Sequence, residues 1–414
     1  MGGTEDEAQD DIQDELASFR AEALRFLETH ARRRRDATGS GWGVGSDAIG
    51  LLDGHDDRAE EAAALERSRA WRRLVFDSGF GWLGGPVELG GGGRSTVLDE
   101  EYRLLERSFD VPDQQPFATG TRLVAPAVLA HGSADLQRRY LPGIFRGDLL
   151  VCQLLSEPEA GSDLAALRTR AVRDGDEWVV TGQKVWSSQA HLSQVGQLLA
   201  RTDPDVPKHA GLTMFLLDMD LPGITVRPLR QMTGEEHFNE VFFDEVRIPD
   251  ANRIGELGTG WKAVIATLMA ERASVGSGAN NSAVDAIGRL VDLARHQGRL
   301  GDPIVRQRLA SLHTVAELRH YLMLRHEARV AAGHPSGPEG SILKLLFGEE
   351  SRRSADLAGE LLGATVLADT GEWGTFAWTR WITGTPMMSI AGGTDEIQRN
   401  TLAERVLGLP KEPS

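Results

Sequence analysis

Ser156-Glu-Pro-Glu-Ala-Gly-Ser-Asp-Leu164 sits at a seam in the chain, where helical patterning gives way to short β-like runs. Gly161 allows a close backbone approach to a ligand. Ser156 and Ser162 supply hydroxyls, and exposed amides in such a turn can hold a phosphate or the edge of a planar cofactor. A plain surface turn capped by Asp163 explains the same residues and is slightly the better reading in isolation. The weight of this stretch comes from its surroundings.

Upstream, apolar residues recur at helical spacing: Leu16, Phe19, Ala23, Leu24 and Leu27. The acidic residues 1 to about 15 read as frayed, and the Gly/Ser/Asp-rich stretch 36–56 reads as a loop. A charged helix is expected from Arg58 to Ser78, then a turn-dense connection from Gly79 to Gly93. Further helices are expected over Leu98–Arg107 and Gly120–Ala130. A last one, Asp135–Tyr140, is expected to stop at Leu141-Pro-Gly.

Downstream, the runs Trp178–Thr181, Leu212–Leu217, Ile224–Val226, Val241–Phe243 and Val246–Ile248 read as strands. Asp174-Gly175 and Pro222-Gly223 supply turns between them. Beyond Gly260, amphipathic helices are expected over Trp261–Val275, Ser282–Gln297, Pro303–Arg329, Ser341–Leu362 and Asn400–Leu407. The order is α, then β, then α. It divides the chain into residues 1–148, 149–253 and 254–414, a mainly α protein with a central β domain.

Composition narrows the function. The formal net charge of −16 repels phosphate backbones and argues against nonspecific nucleic-acid binding. The run Arg32–Arg35 reads as a solvated helix end. One cysteine, Cys152 in an apolar run, allows no intrachain disulfide and no cysteine-based metal cluster, and reads as an inert buried thiol. No apolar run approaches membrane-spanning length, and the acidic N-terminus lacks a signal-peptide core; a cytoplasmic protein is expected.

Three further stretches bear chemistry. Trp178-Val-Val-Thr-Gly-Gln-Lys-Val-Trp-Ser-Ser188 reads as a strand, a glycine turn and a second strand ending in Trp186. An indole can pack on a planar cofactor while a neighbouring hydroxyl bonds a ring nitrogen; a core tryptophan in a hairpin is the plainer reading. Glu271, in Leu268-Met-Ala-Glu-Arg-Ala-Ser274, interrupts an apolar helix. It is either a carboxylate base in a dry pocket, where desolvation favours the proton, or half of a structural pair with Arg272. Finally, Ser389-Ile-Ala-Gly-Gly-Thr-Asp-Glu-Ile-Gln-Arg-Asn400 carries two adjacent glycines ahead of a helix.

In this order, these stretches resemble the acyl-CoA dehydrogenase family over nearly the whole chain. The matching segments are Leu155–Asp163, Gly182–Ser188, Phe238–Phe243 with Val246–Pro249, Gly255–Trp261 and Gly392–Gln398. The resemblance implies an N-terminal helical domain, a middle antiparallel β-barrel domain and a C-terminal four-helix bundle. It implies a tetramer with FAD at subunit interfaces and electron-transfer flavoprotein as electron acceptor. Leu155 and Ser156 would meet the flavin pyrimidine edge, with Trp186 against the isoalloxazine and Ser188 near N5. Gly161 and Ser162 would meet flavin phosphate and the pantetheine arm. Thr394 and Glu396 would approach the adenine half.

Several positions depart from the family pattern: Glu360-Leu-Leu-Gly363 stands nearest the usual Gln-x-x-Gly-Gly segment, and Glu396 replaces a residue that is often Gln. Gln297 stands in the register of an arginine that reaches the flavin pyrophosphate, with Arg299 or Arg295 as the available substitute. Gly392 stands where most members carry the base that removes the substrate α-proton. A minority places the base on the helix opening the C-terminal domain, just before an arginine, and Glu271-Arg272 matches that register. The resemblance thus implies α-proton removal by Glu271, hydride transfer from the β-carbon to flavin N5, and a thioester carbonyl polarised by the Gly392 amide. Ser162 and Arg272 would lie against the acyl-CoA or acyl-carrier-protein substrate. The Ile-Ala-Gly-Gly-Thr form is similar to the bacterial branch with steroid side-chain enzymes, some of them heterotetramers. A flavin-dependent oxygenase or oxidase on the same fold and a non-catalytic partner subunit are the alternatives.

Overall fold

The computed structural model describes residues 3–34, 43, 50–51, 57–276, 286–331, 337–338 and 340–411. For 3–14, 269–276, 327 and 330–331 it describes the backbone alone. The expected loop at 36–56 falls mostly outside these residues.

The chain opens with α1 (Gly3–His30) and a two-residue strand, β1 (Arg32–Arg33). It continues through α2 (Arg58–Asp77), α3 (Val97–Glu106) and β2 (Phe109–Asp110), which pairs with β1. A π-helical turn, Thr119–Val124, leads into α4 (Ala125–His131) and α5 (Ala134–Arg146). The periodic residues of α1 do what their spacing predicts: Phe19, Ala23 and Leu27 are fully buried among Trp71, Val75, Phe80, Leu98 and Tyr102. Two expectations need correction. The acidic segment ahead of Ile12 is helical, consistent with good helix formers and with acidic side chains favoured at a helix N-terminus. Likewise α5 does not stop at Leu141-Pro-Gly but carries Pro142 inside it. Leu141, Ile144 and Phe145 are all buried, and that packing carries the helix on to Gly147, whose φ of 85° ends it.

The strands are β3 (Val151–Leu154), β4 (Arg170–Asp174), β5 (Glu177–Ser188), β6 (Val195–Arg201), β7 (Leu212–Asp218), β8 (Ile224–Leu229), β9 (Phe238–Pro249) and β10 (Arg253–Ile254). Their order is β10-β7-β6-β4-β5-β9-β8, with β3 added in parallel to β6. The other pairings are antiparallel, apart from one parallel bridge from β4 to β6. The runs at 241–243 and 246–248 belong to one strand, β9. The expected hairpin at 178–188 is also one strand, β5: Gly182 does not turn the chain. A Cβ there would sit 2.4 Å from Thr169 Oγ1, so the glycine serves a close approach. Periodicity missed β6 because it is buried on both sides; Val195 and Leu199 join one core, Leu198 and Ala200 another.

After the sheet come α6 (Gly260–Gly276), α7 (Ala286–His296), α8 (Pro303–Ala331), α9 (Gly340–Leu362), α10 (Thr379–Gly384) and α11 (Asp395–Arg405). Residues from α7, α8, α9 and α10 share a core that includes Leu290, Leu312, Ala358 and Trp381. Helix α6 lies between this bundle and the sheet, packing on α9, α4 and β7. Among the described residues no helix is long and apolar enough to cross a membrane, and no cluster of side chains has metal-ligand character.

Candidate active site

Two stapled corners carry most of the residues singled out by the sequence. The first lies on the sheet. Strands β5 and β9 are paired, but their register slips between Lys184 and Ser187, so Val185 and Trp186 together face Glu240. Such a bulge re-aims a side chain. Trp186 adopts φ 62°, a left-handed conformation that bulky residues avoid. Its indole turns outward, 61% exposed, edge-on to Phe238 at a centroid distance of 5.9 Å. Ser188 follows, paired with Phe238 across the ladder.

Lys184 staples this corner to the Ser156 turn. It is completely buried, and its Nζ donates to the Leu155 carbonyl and to Glu157 Oε1, both at 2.9 Å. Glu157 also accepts from the backbone N–H groups of Arg168 (2.6 Å) and Thr169 (2.8 Å). Val185 N–H donates to the Ser156 carbonyl at 2.9 Å. Leu155 and Ser156 are thus stitched directly to the strand that carries Trp186. Burial pushes the Lys184 ammonium down to about 8 despite Glu157. Burial works to raise Glu157, but the Lys184 charge and the donors around it hold the carboxyl below its usual range.

Neither Lys184 nor Glu157 was singled out in the sequence. The signal was present: Lys184 stands in the inward register of Trp178 and Val180. Gly161 and Ser162 form the exposed tip of the turn. A Cβ at Gly161 would meet no protein atom within 4 Å, so the chain's own packing does not require glycine there.

The second corner precedes α11. Gly392 and Gly393 have φ of 66° and 88°. Thr394 caps the helix, its hydroxyl accepting from Ile397 N–H at 3.3 Å. The buried Gln398 reaches back, its Nε2 donating to the carbonyls of Gly392 (2.6 Å) and Gly393 (3.4 Å). Asp395 is the staple here. It accepts from the buried Lys344 Nζ at 2.8 Å and from Arg352 at 3.0 Å, while Arg352 also donates to Ser389 Oγ at 2.6 Å. Burial works to raise the Asp395 carboxyl, but Lys344 and Arg352 hold it below its ordinary value. The Gly392 N–H donates to no acceptor among the described residues. Glu396 is exposed, 3.7 Å from Arg399.

Glu271 and Arg272 fall on the C-terminal part of α6, and their side chains lie outside the described residues. The earlier part of α6 is fixed from both sides. Gln197 on β6 donates to Thr267 Oγ1 at 3.4 Å, and α9, which carries Lys344, packs along the helix. Helix α9 is therefore the common neighbour of α6 and the Gly392 corner. Arg299 is engaged elsewhere, donating to Asp302 (2.9 Å) and Glu360 (3.2 Å). Cys152 is wholly buried, its thiol pushed up to about 12 by burial.

Comparison with known proteins fits this layout. Residues 152–246 match the family description "Acyl-CoA dehydrogenase, middle domain", and residues 258–407 match "Acyl-CoA dehydrogenase, C-terminal domain". The chain is 39% identical over 363 residues to the acyl-CoA dehydrogenase IpdE1 of Mycobacterium tuberculosis (strain ATCC 25618 / H37Rv), covering 87% of this chain and 93% of that protein. Among solved structures, the Tcur3481-Tcur3483 steroid ACAD is 28% identical with a TM-score of 0.74, covering 96% of this chain and 98% of that one. The ChsE4-ChsE5 complex of Mycobacterium tuberculosis is 29% identical with a TM-score of 0.70 at the same coverage.

Proposed function

Because this chain belongs to the acyl-CoA dehydrogenase family, we propose that it α,β-dehydrogenates an acyl thioester with FAD as cofactor and Glu271 as the base. The observation that carries the reading is the pairing of two features. Trp186 presents a largely exposed indole. Gly392, where most members carry a carboxylate, offers only a backbone whose N–H meets no acceptor among the described residues.

The residues present fit a flavin. An exposed indole on a rigid bulge gives a planar ring a surface to rest on. The Ser156–Ser162 turn, stitched to that bulge, has an open tip at Gly161 for an edge or phosphate. When bound, the flavin supplies the hydride acceptor. Leu155, Ser156, Trp186 and Ser188 would orient it, Thr394 and Glu396 would flank its far half, and Arg299 would have to leave Asp302 and Glu360 to reach the pyrophosphate.

On the substrate side, Ser162 and Arg272 would hold the thioester's acyl and pantetheine portions. The Gly392 N–H donates to the thioester carbonyl, acidifying the α-hydrogen. Glu271 follows Thr267 by one helical turn on a helix held against the sheet and α9. It would take the α-proton, a step that calls for a water-poor site.

Glu271→Gln tests the assignment. The variant should bind FAD as the parent does, yet lose anaerobic bleaching of the flavin by an acyl-CoA. Near-normal bleaching would overturn Glu271 as the base. We also infer a hetero-oligomer with a second subunit type, supported by the two-protein steroid ACAD and ChsE4-ChsE5 structures among the relatives. A fully active tetramer of this chain alone would overturn it. Electron-transfer flavoprotein as acceptor and a cytoplasmic setting, in keeping with the single cysteine, complete the reading.

A further inference from the structure

Trp186 and Gln189 have φ of 62° and 53°, two of the four positive-φ non-glycine residues described, and they bracket Ser187. Backbone held in such conformations persists only where its surroundings over-determine it. A hydrogen-bonded chain does so here. Asn239, fully buried on β9 and the ladder partner of Ser187, donates from Nδ2 to the Ser187 carbonyl at 3.0 Å and lies 3.3 Å from the His237 carbonyl. Gln189 N–H donates to that same His237 carbonyl at 3.0 Å. His191 Nδ1 lies 3.2 Å from Asn239 Oδ1, and His191 Nε2 lies 3.1 Å from Glu61 Oε2 on α2.

The chain has a fixed polarity. Two carbonyls face the Asn239 amide nitrogen, so its oxygen must face His191. Glu61 is also an acceptor. His191 therefore lies between two hydrogen-bond acceptors, Asn239 Oδ1 and Glu61 Oε2. The charged and titratable groups around it are Glu61 and Arg58 on α2, with Glu236 and His237 ahead of β9. Arg58 lies 3.5 Å from Glu61 and 3.0 Å from Glu236. His237 stays neutral, pushed down to about 4 by burial and then by the neighbouring His191. His191 thus bridges the Glu61 carboxylate and the strained corner.

We propose that Glu61, His191 and Asn239 are positioning residues: they carry the hold of helix α2 through to the Ser187 carbonyl and lock the outward-turned Trp186 in place. Its functional consequence rests on the reading that Trp186 faces the flavin. The lock itself does not. Through it, a helix outside the sheet sets the attitude of the cofactor surface, a role that neither Glu61 nor His191 would show by touching cofactor or substrate.

Amide hydrogen exchange on the full chain as purified tests the lock. Asn239→Ala and His191→Ala should each speed exchange at residues 186–189 by about tenfold or more. Exchange along β6 should stay unchanged. Glu61→Gln, which keeps an acceptor, should fall between these variants and the parent. Unchanged exchange at 186–189, or uniform loosening of the whole sheet, would overturn the proposal. The absorbance spectrum of bound FAD supplies the second arm, with Trp186→Ala as reference. A spectral change in Trp186→Ala that Asn239→Ala and His191→Ala reproduce supports lock and flavin placement together. Faster exchange with a Trp186→Ala spectrum like the parent's keeps the lock and removes the placement. A changed Trp186→Ala spectrum with unaltered exchange in the other variants removes the lock and keeps the placement.

Discussion

Each corner of the site is anchored by a buried lysine–carboxylate pair, and the two pairs are built differently. Lys184 and Glu157 join strand β5 to the Ser156 turn. The carboxylate takes one ammonium and two backbone N–H groups, and the ammonium's second partner is the Leu155 carbonyl. Lys344 and Asp395 sit between helices. That carboxylate has a second cation in Arg352, which is one-third exposed, and it occupies the first turn of α11, where the helix dipole favours negative charge. Among the described residues Glu157 has no second cation, whereas Asp395 has one in reserve. The corner holding a strained, exposed tryptophan thus has the less forgiving anchor.

The largest expected effect comes from breaking the Lys184–Glu157 pair. Lys184→Met leaves Glu157 buried without a counter-ion and should cost about 3–5 kcal/mol in denaturant unfolding. Lys184→Met combined with Glu157→Leu should recover part of that loss, because no buried charge is left behind. Lys344→Met should cost less, about 1–3 kcal/mol, since Arg352 and the helix terminus still face Asp395. Equal losses for the two lysine variants would erase the distinction between the corners.

These pairs also show what the sequence made legible. The helix-sheet-helix order could be read from periodicity, and the residues of both corners from their resemblance to a family. Lys184, Glu157, Lys344 and Asp395 escaped notice because a charged residue in a sequence reads as surface by default. Only tertiary packing turns it inward. Gly182 misled in the opposite direction: its local signal is a turn, but Thr169, thirteen residues earlier, demands the glycine. Pro142 did likewise, since buried neighbours overrode a strong local stop.

Acid should act on both anchors in the same direction. Glu157 and Asp395 are each held below their usual values. Their stabilisation is therefore complete above the ordinary carboxylate range, near pH ~4, and is lost as pH falls through the lower folded-state values. The acid limb of a stability–pH curve should flatten in Glu157→Gln and in Asp395→Asn. A parallel limb in either variant would show that its carboxylate titrates alike folded and unfolded.

The smallest effect asks why position 392 is glycine. Two reasons compete there: the proposed room for a carboxylate entering from α6, and a left-handed backbone at φ 66°. They predict different outcomes. If conformation alone demands glycine, Gly392→Ala should cost about 1 kcal/mol, and Gly392→Asn less, because asparagine tolerates the left-handed region. Substrate-driven flavin bleaching would then survive in both variants. If space is also required, Gly392→Asn should leave stability nearly intact while slowing bleaching more than Gly392→Ala does, since its longer side chain would occupy the room that Glu271 needs. Bleaching that survives in both variants while stability falls would assign the glycine to the backbone alone.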